Sequence, residues 1–306
     1  MLKNVRAEAF VVFGSLAFAF NGIIAKLVLT SGLSAWRLTQ LRCTGAFIFL
    51  LLFVLARKGS SLRTTKKELP WLVAYGIIGF ALVQFGYFVA ISRLHVSVAL
   101  IIEFTAPIWI LFYIRFVKKK HVPKLMWISV AMGFSGLLLV AQAWQGMTLD
   151  GLGVVAALLD AFALAAYFLL GEKLVANRST DTLTVYGFAF ASLGWAIVCP
   201  LWSFPFSIFT QKINLLGTFK AYDLPGWVLI TWIIFAGTII PYMAVLHGLR
   251  SLSASTSSVI GMLEPILAGV FAWFWLGETF RIIQLIGGVV VIAGIITADR
   301  ARSTVH

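Results

Sequence analysis

Three carboxylates, Glu103, Asp160 and Glu264, and one guanidinium, Arg42, stand inside long apolar stretches of this chain. A charge near the centre of a bilayer costs at least about 2.5 kcal/mol, so such groups face a bundle interior or an aqueous cavity. There a carboxylate can exchange a proton or hold the ammonium group of a solute. A guanidinium can counter an acid or hold a solute carboxylate. Each also has a structural alternative. Glu103 or Glu264 can pair with Arg42 or a helix end, Asp160 can bond a neighbouring helix, and Arg42 can form a local ion pair.

Spacing relates the acids to one another. Ala99, Glu103, Ala106 and Ile110 form one stripe of a helix at i, i+4, i+7 and i+11. A shift of 158 residues maps that stripe onto Ser257, Gly261, Glu264 and Ala268, and maps Pro107 onto Pro265, Ile102 onto Ile260 and Gly136 onto Gly294. Glu103 and Glu264 therefore share a repeated face, displaced by one turn, roughly 5 Å. Both prolines remove a donor in mid-helix, and in carriers such breaks often border the binding site. The same shift pairs Phe80, Gln84 and Tyr87 with Thr238, Tyr242 and Val245. Gln84 and Tyr242 can orient an amphipathic solute by hydrogen bonds, and Tyr87 by its ring. Asn21 adds an amide, Tyr167 shares the stripe of Asp160, and Trp109 is a candidate aromatic platform. Each polar group can instead bond between helices.

The elements that must position these residues are membrane helices. Hydrophobic residues make up 61% of the 306 positions and charged ones 11%, which excludes an ordinary soluble domain. Ten apolar runs have the roughly 20 residues needed to span hydrocarbon: 8–29, 35–56, 70–92, 97–117, 124–143, 151–172, 184–206, 226–248, 254–276 and 281–299. The longest connection is 207–225. Trp71, Trp127, Trp144, Trp202 and Trp227 fall near run ends, where indole rings anchor helices at the interface. A net charge of +13 could suggest nucleic acid, but seventeen of the 24 Lys and Arg fall on one side of this arrangement, six on the other, and Arg42 within it. That bias places both termini in the cytoplasm, and no nucleic-acid partner is expected. The chain thus predicts an all-α integral membrane protein with two five-helix repeats, 1–146 and 147–306. An odd helix number inverts the second repeat and places a site near the midplane between the halves.

The closing segment TFRIIQLIGGVVVIAGIITA follows WLGE and, before it, LEPILA; FTAPIWILFYIRF and MWISVAMGFSGLLLV form the first-half counterpart. These stretches resemble the signature of EamA-type transporters of the drug/metabolite transporter superfamily. In the first half Lys119-Lys120 replace the pair aligned with Gly277-Glu278. The resemblance implies a carrier of amino acids, other metabolites or drugs, more often an exporter. Three buried acids against one arginine favour a solute with a positive group, and the aromatic content favours one with an apolar body. The expectation is a secondary transporter of the inner or plasma membrane, exporting an amino acid or related amine by alternating access, with protons as candidate coupling ion. Facilitated diffusion of drugs or other metabolites is the alternative. An intramembrane enzyme is disfavoured, because no HExxH, GxSxG or Cys/His cluster supplies catalytic residues. Cys43 and Cys199 lie in helices and imply no disulfide framework. No metal or cofactor is implied. The expected partners are a small-molecule substrate and the lipid bilayer, and a monomer suffices for such a site.

Overall fold

In hydrocarbon a backbone can satisfy its N–H and C=O groups by bonding within its own helix. The computed structural model, which describes residues 2–56, 62–94, 96–142, 150–277, 279 and 281–303, follows that rule. Its helices are α1 (Leu2–Thr30), α2 (Ala35–Ala56), α3 (Leu69–Gly76), α4 (Val83–Arg93), α5 (Val96–Glu103), α6 (Ala106–Phe112) and α7 (Lys124–Ala141) in the first part. Then come α8 (Gly151–Val175), α9 (Thr180–Val198), α10 (Gly226–Ile234), α11 (Ile240–Leu249), α12 (Ala254–Gly261), α13 (Leu263–Leu276) and α14 (Ile282–Ser303). Among the described residues they make 10 spans long and apolar enough to cross a membrane. Trp144, Glu278 and the boundary expected after residue 146 lie outside the described residues.

Four spans are interrupted, and the interruptions recur at the 158-residue shift. The third span joins α3 to α4 through a π turn at Ile77–Leu82, and the eighth joins α10 to α11 through one at Phe235–Ile239. The fourth is broken by a turn at Phe104 and Thr105, the ninth by one at Met262. The cause of these two breaks is covalent. Pro107 has no N–H to offer the carbonyl of Glu103, and Pro265 has none for Gly261.

The seventh span differs from the expected 184–206 and runs over Thr180–Val198. Ser179 begins it earlier, its side chain accepting from the Thr182 N–H as an N-cap. Pro200 ends it, because the residue before a proline is driven out of the helical region, and Cys199 is extended at φ −126°. The connection beyond is folded rather than plain loop. It carries an antiparallel hairpin of β1 (Lys212–Asn214) and β2 (Asp223–Pro225). Trp275 Nε1 donates to the Leu215 carbonyl at 2.8 Å, and Gln211 Nε2 to that of Ser31 at 3.1 Å. These bonds fasten the hairpin to the ends of α13 and α1. Gly217, at φ +49°, passes directly against the backbone of Trp275, where no side chain would fit.

Small residues set the closest helix approaches. A Cβ on Gly136 of α7 would lie 2.7 Å from the Gly287 carbonyl of α14, and Ser129 Oγ donates to the Gly294 carbonyl at 2.8 Å. Gly86 of α4 lets α8 come equally near, since a Cβ there would lie 2.7 Å from Asp160 Cβ. Beside the site the rings of Tyr75, Phe80, Tyr167, Phe188 and Tyr242 form one buried cluster, of which Tyr167 and Tyr242 reach the cavity wall. Tyr242 stacks on Phe80 at 4.6 Å and meets Phe188 edge-on at 5.3 Å.

Candidate functional site

The interrupted spans surround a cavity of about 860 Å³. Asn21 of α1, Arg42 of α2, Gln84 and Tyr87 of α4, Glu103 of α5, Tyr167 of α8, Tyr242 of α11, and Glu264 and Pro265 of α13 line it. From midspan it reaches the end of the bundle where α1 finishes, among the exposed residues Lys26, Thr30 and Thr279. Three residues singled out in the sequence are placed elsewhere. Asp160 is buried behind Gly86, at 1% exposure. Trp109 donates to Thr105 Oγ1 at 3.0 Å and packs on Phe162 at 4.6 Å, so its ring is not a cavity platform. Pro107 is buried and shapes the cavity only through the break it imposes.

Arg42 is fixed by the eighth span. Its Nε donates to Thr238 Oγ1 and its Nη2 to the Gly237 carbonyl, both at 3.0 Å. Pro241, four residues on, has no N–H to give that carbonyl. Among the described residues, no ion pair joins Arg42 to Glu103, Asp160 or Glu264. Arg42 and Glu264 nevertheless lie within electrostatic reach across the cavity, and the three acids within reach of one another.

The two glutamates occupy opposite kinds of helix end. Glu103 is the last residue of α5, where unsatisfied carbonyls gather, and its Oε2 is buried without a hydrogen-bond partner. Glu264 stands in the first turn of α13, where free N–H groups and the helix dipole complement a negative charge. Further buried acceptors lack partners: Asn21 Oδ1, Gln84 Oε1 and both oxygens of Asp160. The amide nitrogen of Gln84 is turned the other way, toward Tyr242 Oη at 3.5 Å and Cys43 Sγ at 3.7 Å. Phe18, Phe104 and Phe168 supply apolar wall. Among the described residues, no group of three or more His, Cys, Asp and Glu could hold a metal ion.

Toward the opposite end of the bundle the described helices pack together. Gly248 of α11 packs directly on Val11 of α1. His247 Nε2 lies 3.1 Å from Thr180 Oγ1 and Nδ1 2.7 Å from the Met243 carbonyl. Outside the spans, Arg178 grips Glu68 with Nε and Nη2, donates to the Arg63 carbonyl at 2.7 Å, and accepts at its own carbonyl from Arg250 at 3.1 Å. The hydrogen bond from Arg178 holds the Glu68 carboxyl below the usual carboxylate range.

Several contributors escape a sequence reading. Gly237 could have been found from Pro241 by the logic that links Pro107 to Glu103. Phe18 lies one turn before Asn21 on the same face. Phe104 and Phe168 carry no signal that separates them from core residues.

A family model described as the EamA-like transporter family matches residues 5–142 and again 151–298. The chain is 25% identical over 287 residues to the uncharacterized transporter YdfC of Bacillus subtilis, covering 93% of this chain and 87% of that protein. It is 23% identical over 288 residues to an uncharacterized transporter of Archaeoglobus fulgidus, covering 93% and 94%. A solved crystal structure superposes with a TM-score of 0.76 at 17% identity, over 97% of this chain and 98% of the other, which shows a shared fold.

Proposed function

The chain belongs to the EamA-like transporter family, and from that premise we propose a secondary carrier that exports an amino acid or related amine by alternating access. The observation that carries this reading is the cavity, which lies between two proline-broken spans and, among the described residues, is open toward one end of the bundle. Breaks of this kind free backbone groups where only a water-filled or solute-filled space can use them. With both termini in the cytoplasm and the two halves inverted, the open end is the outer one. The contacts of Val11 with Gly248 and of Glu68 with Arg178 then form the closed inner gate. Acids and rings in one cavity suit a solute with a positive head and an apolar body, and a proton can take the place of the solute on a carboxylate.

Purified protein in liposomes tests the reading. A carrier shows saturable counterflow, in which unlabelled substrate on one side stimulates movement of labelled substrate from the other; a channel shows none. Product chemically different from substrate would instead reveal an enzyme. For coupling, the double variant Glu103→Gln/Glu264→Gln is expected to abolish the pH dependence of transport. If that dependence survives, the solute moves by facilitated diffusion through the same cavity.

A further inference from the structure

The residues lining the cavity hold an imbalance between buried hydrogen-bond acceptors and donors. Asn21 and Gln84 are each only 4% exposed, both line the cavity, and the amide oxygen of each is without a partner. Glu103 Oε2 is likewise unpartnered, and Glu264 opens onto the same space. Buried acceptors of this kind are costly unless something donates to them. The strongest donor in the wall is partly committed. With Nε on Thr238 and Nη2 on Gly237, Arg42 has its side-on fork occupied by the eighth span. A carboxylate is best held by two parallel bonds from such a fork; the side-on grip is closed here, and the remaining charge of Arg42 lies within electrostatic reach of Glu264. Among the described residues Lys26 is the other cation on the cavity, an exposed residue five positions nearer the open end than Asn21.

We infer that this site selects an arylalkyl ammonium ion lacking a carboxylate, rather than a zwitterionic amino acid. An ammonium group offers three N–H donors and no acceptor, which suits a cavity lined by Glu103 and Glu264. Its positive charge meets Glu103 and Glu264, and its ring meets Phe18, Tyr87 and Tyr242. Aromatic faces accept cations as well as rings. An added carboxylate would lie among these acids, where like charges repel. The inference rests on the carrier reading above and narrows its substrate class.

The test uses three probes of nearly one shape: 2-phenylethylamine, phenylalanine and 2-phenylethanol. Each is measured twice on the full chain, by thermal shift of purified protein and by competition in liposome counterflow. 2-Phenylethylamine is expected to raise Tm and to bind at least about tenfold more tightly than either analogue. In Glu264→Gln, checked by its unliganded Tm for intact folding, that preference over 2-phenylethanol is expected to vanish. Phenylalanine binding as tightly as the amine would overturn the inference while leaving the carrier intact. So would binding of none of the three. If the amine binds with the expected preference yet exchanges across no membrane, the selectivity stands and the carrier reading fails.

Discussion

The fourth and ninth spans break at the same place in their halves, yet the first carries its acid before the break and the second after it. Pro107 and Pro265 coincide at the 158-residue shift, and so do the turns at Phe104 and Met262. Glu103 ends one short helix and Glu264 begins another. One acid therefore faces the carbonyl end of a helix and the other the amide end. These ends differ in their preference for negative charge by about 0.3–1 kcal/mol each. The repeated backbone supplies a pair of similar breaks, and the side chains make them chemically unlike. For the carrier proposed above, this difference assigns cation binding to Glu264 and proton exchange to Glu103 as separate roles to be tested.

The sharpest way to break this comparison is to neutralise each acid alone. A lost charge-assisted contact of about 1.5–3 kcal/mol weakens binding by about 10–100-fold. Glu264→Gln is expected to show that full loss in the affinity for a cationic substrate. Glu103→Gln is expected to lose less affinity and more of the pH dependence. Equal losses in both quantities would mean that the position of the acid relative to the break is irrelevant. A smaller effect is expected from Arg42→Lys. An ammonium cannot serve Thr238 and Gly237 together with the planar geometry of a guanidinium. Interhelical bonds of this kind are worth about 0.6–2 kcal/mol, which thermal unfolding in detergent would register as a lowered Tm.

Restoring a backbone donor sharpens the comparison further. Pro107→Ala and Pro265→Ala each return an N–H, to the carbonyls of Glu103 and Gly261, for a net gain of about 0.5–1.5 kcal/mol. Both are expected to raise Tm and slow counterflow. Pro107→Ala should also alter the pH profile, because the mended carbonyl belongs to an acidic residue. An unchanged rate in both variants would reduce the breaks to static kinks. The smallest effect belongs to the closed end. Since Arg178 lowers the Glu68 pKa below its unfolded value, the bond contributes stability above the unfolded pKa and loses it as pH falls through the folded one. Glu68 is partly solvated, so Glu68→Gln should cost about 0.5 kcal/mol or less. A Tm series at falling pH should find wild type and variant converging in the acid range.

Hydropathy, charge asymmetry and the repeated prolines make the ten spans legible in sequence, since each follows from the cost of placing polar groups in lipid. The acids are legible for the same reason. Placement across the cavity is not, because it depends on contacts between residues far apart in the chain. Arg42 meets residues 195 and 196 positions away. Trp109 lies one helical stripe from the face that holds Glu103 and turns to Phe162 instead. The seventh span was displaced because Phe204 and Phe206 extend the apolar run past Pro200, where hydropathy continues and helix does not.

The π turns at Ile77–Leu82 and Phe235–Ile239 have a consequence for how the gene can vary in length. A π turn is an α-helix that has absorbed an additional residue without losing its axis. Removing one residue there would restore a regular helix and rotate everything beyond by about 100° relative to what precedes it. In the third span that rotation would swing Gln84 and Tyr87 off the cavity, and in the eighth it would carry Tyr242 away and withdraw Gly237 from Arg42. Single-residue deletions in these two segments should leave membrane insertion intact while emptying the site of its polar groups. The same deletion in the hairpin of residues 212–225 would leave the helical register of every cavity-lining span unchanged.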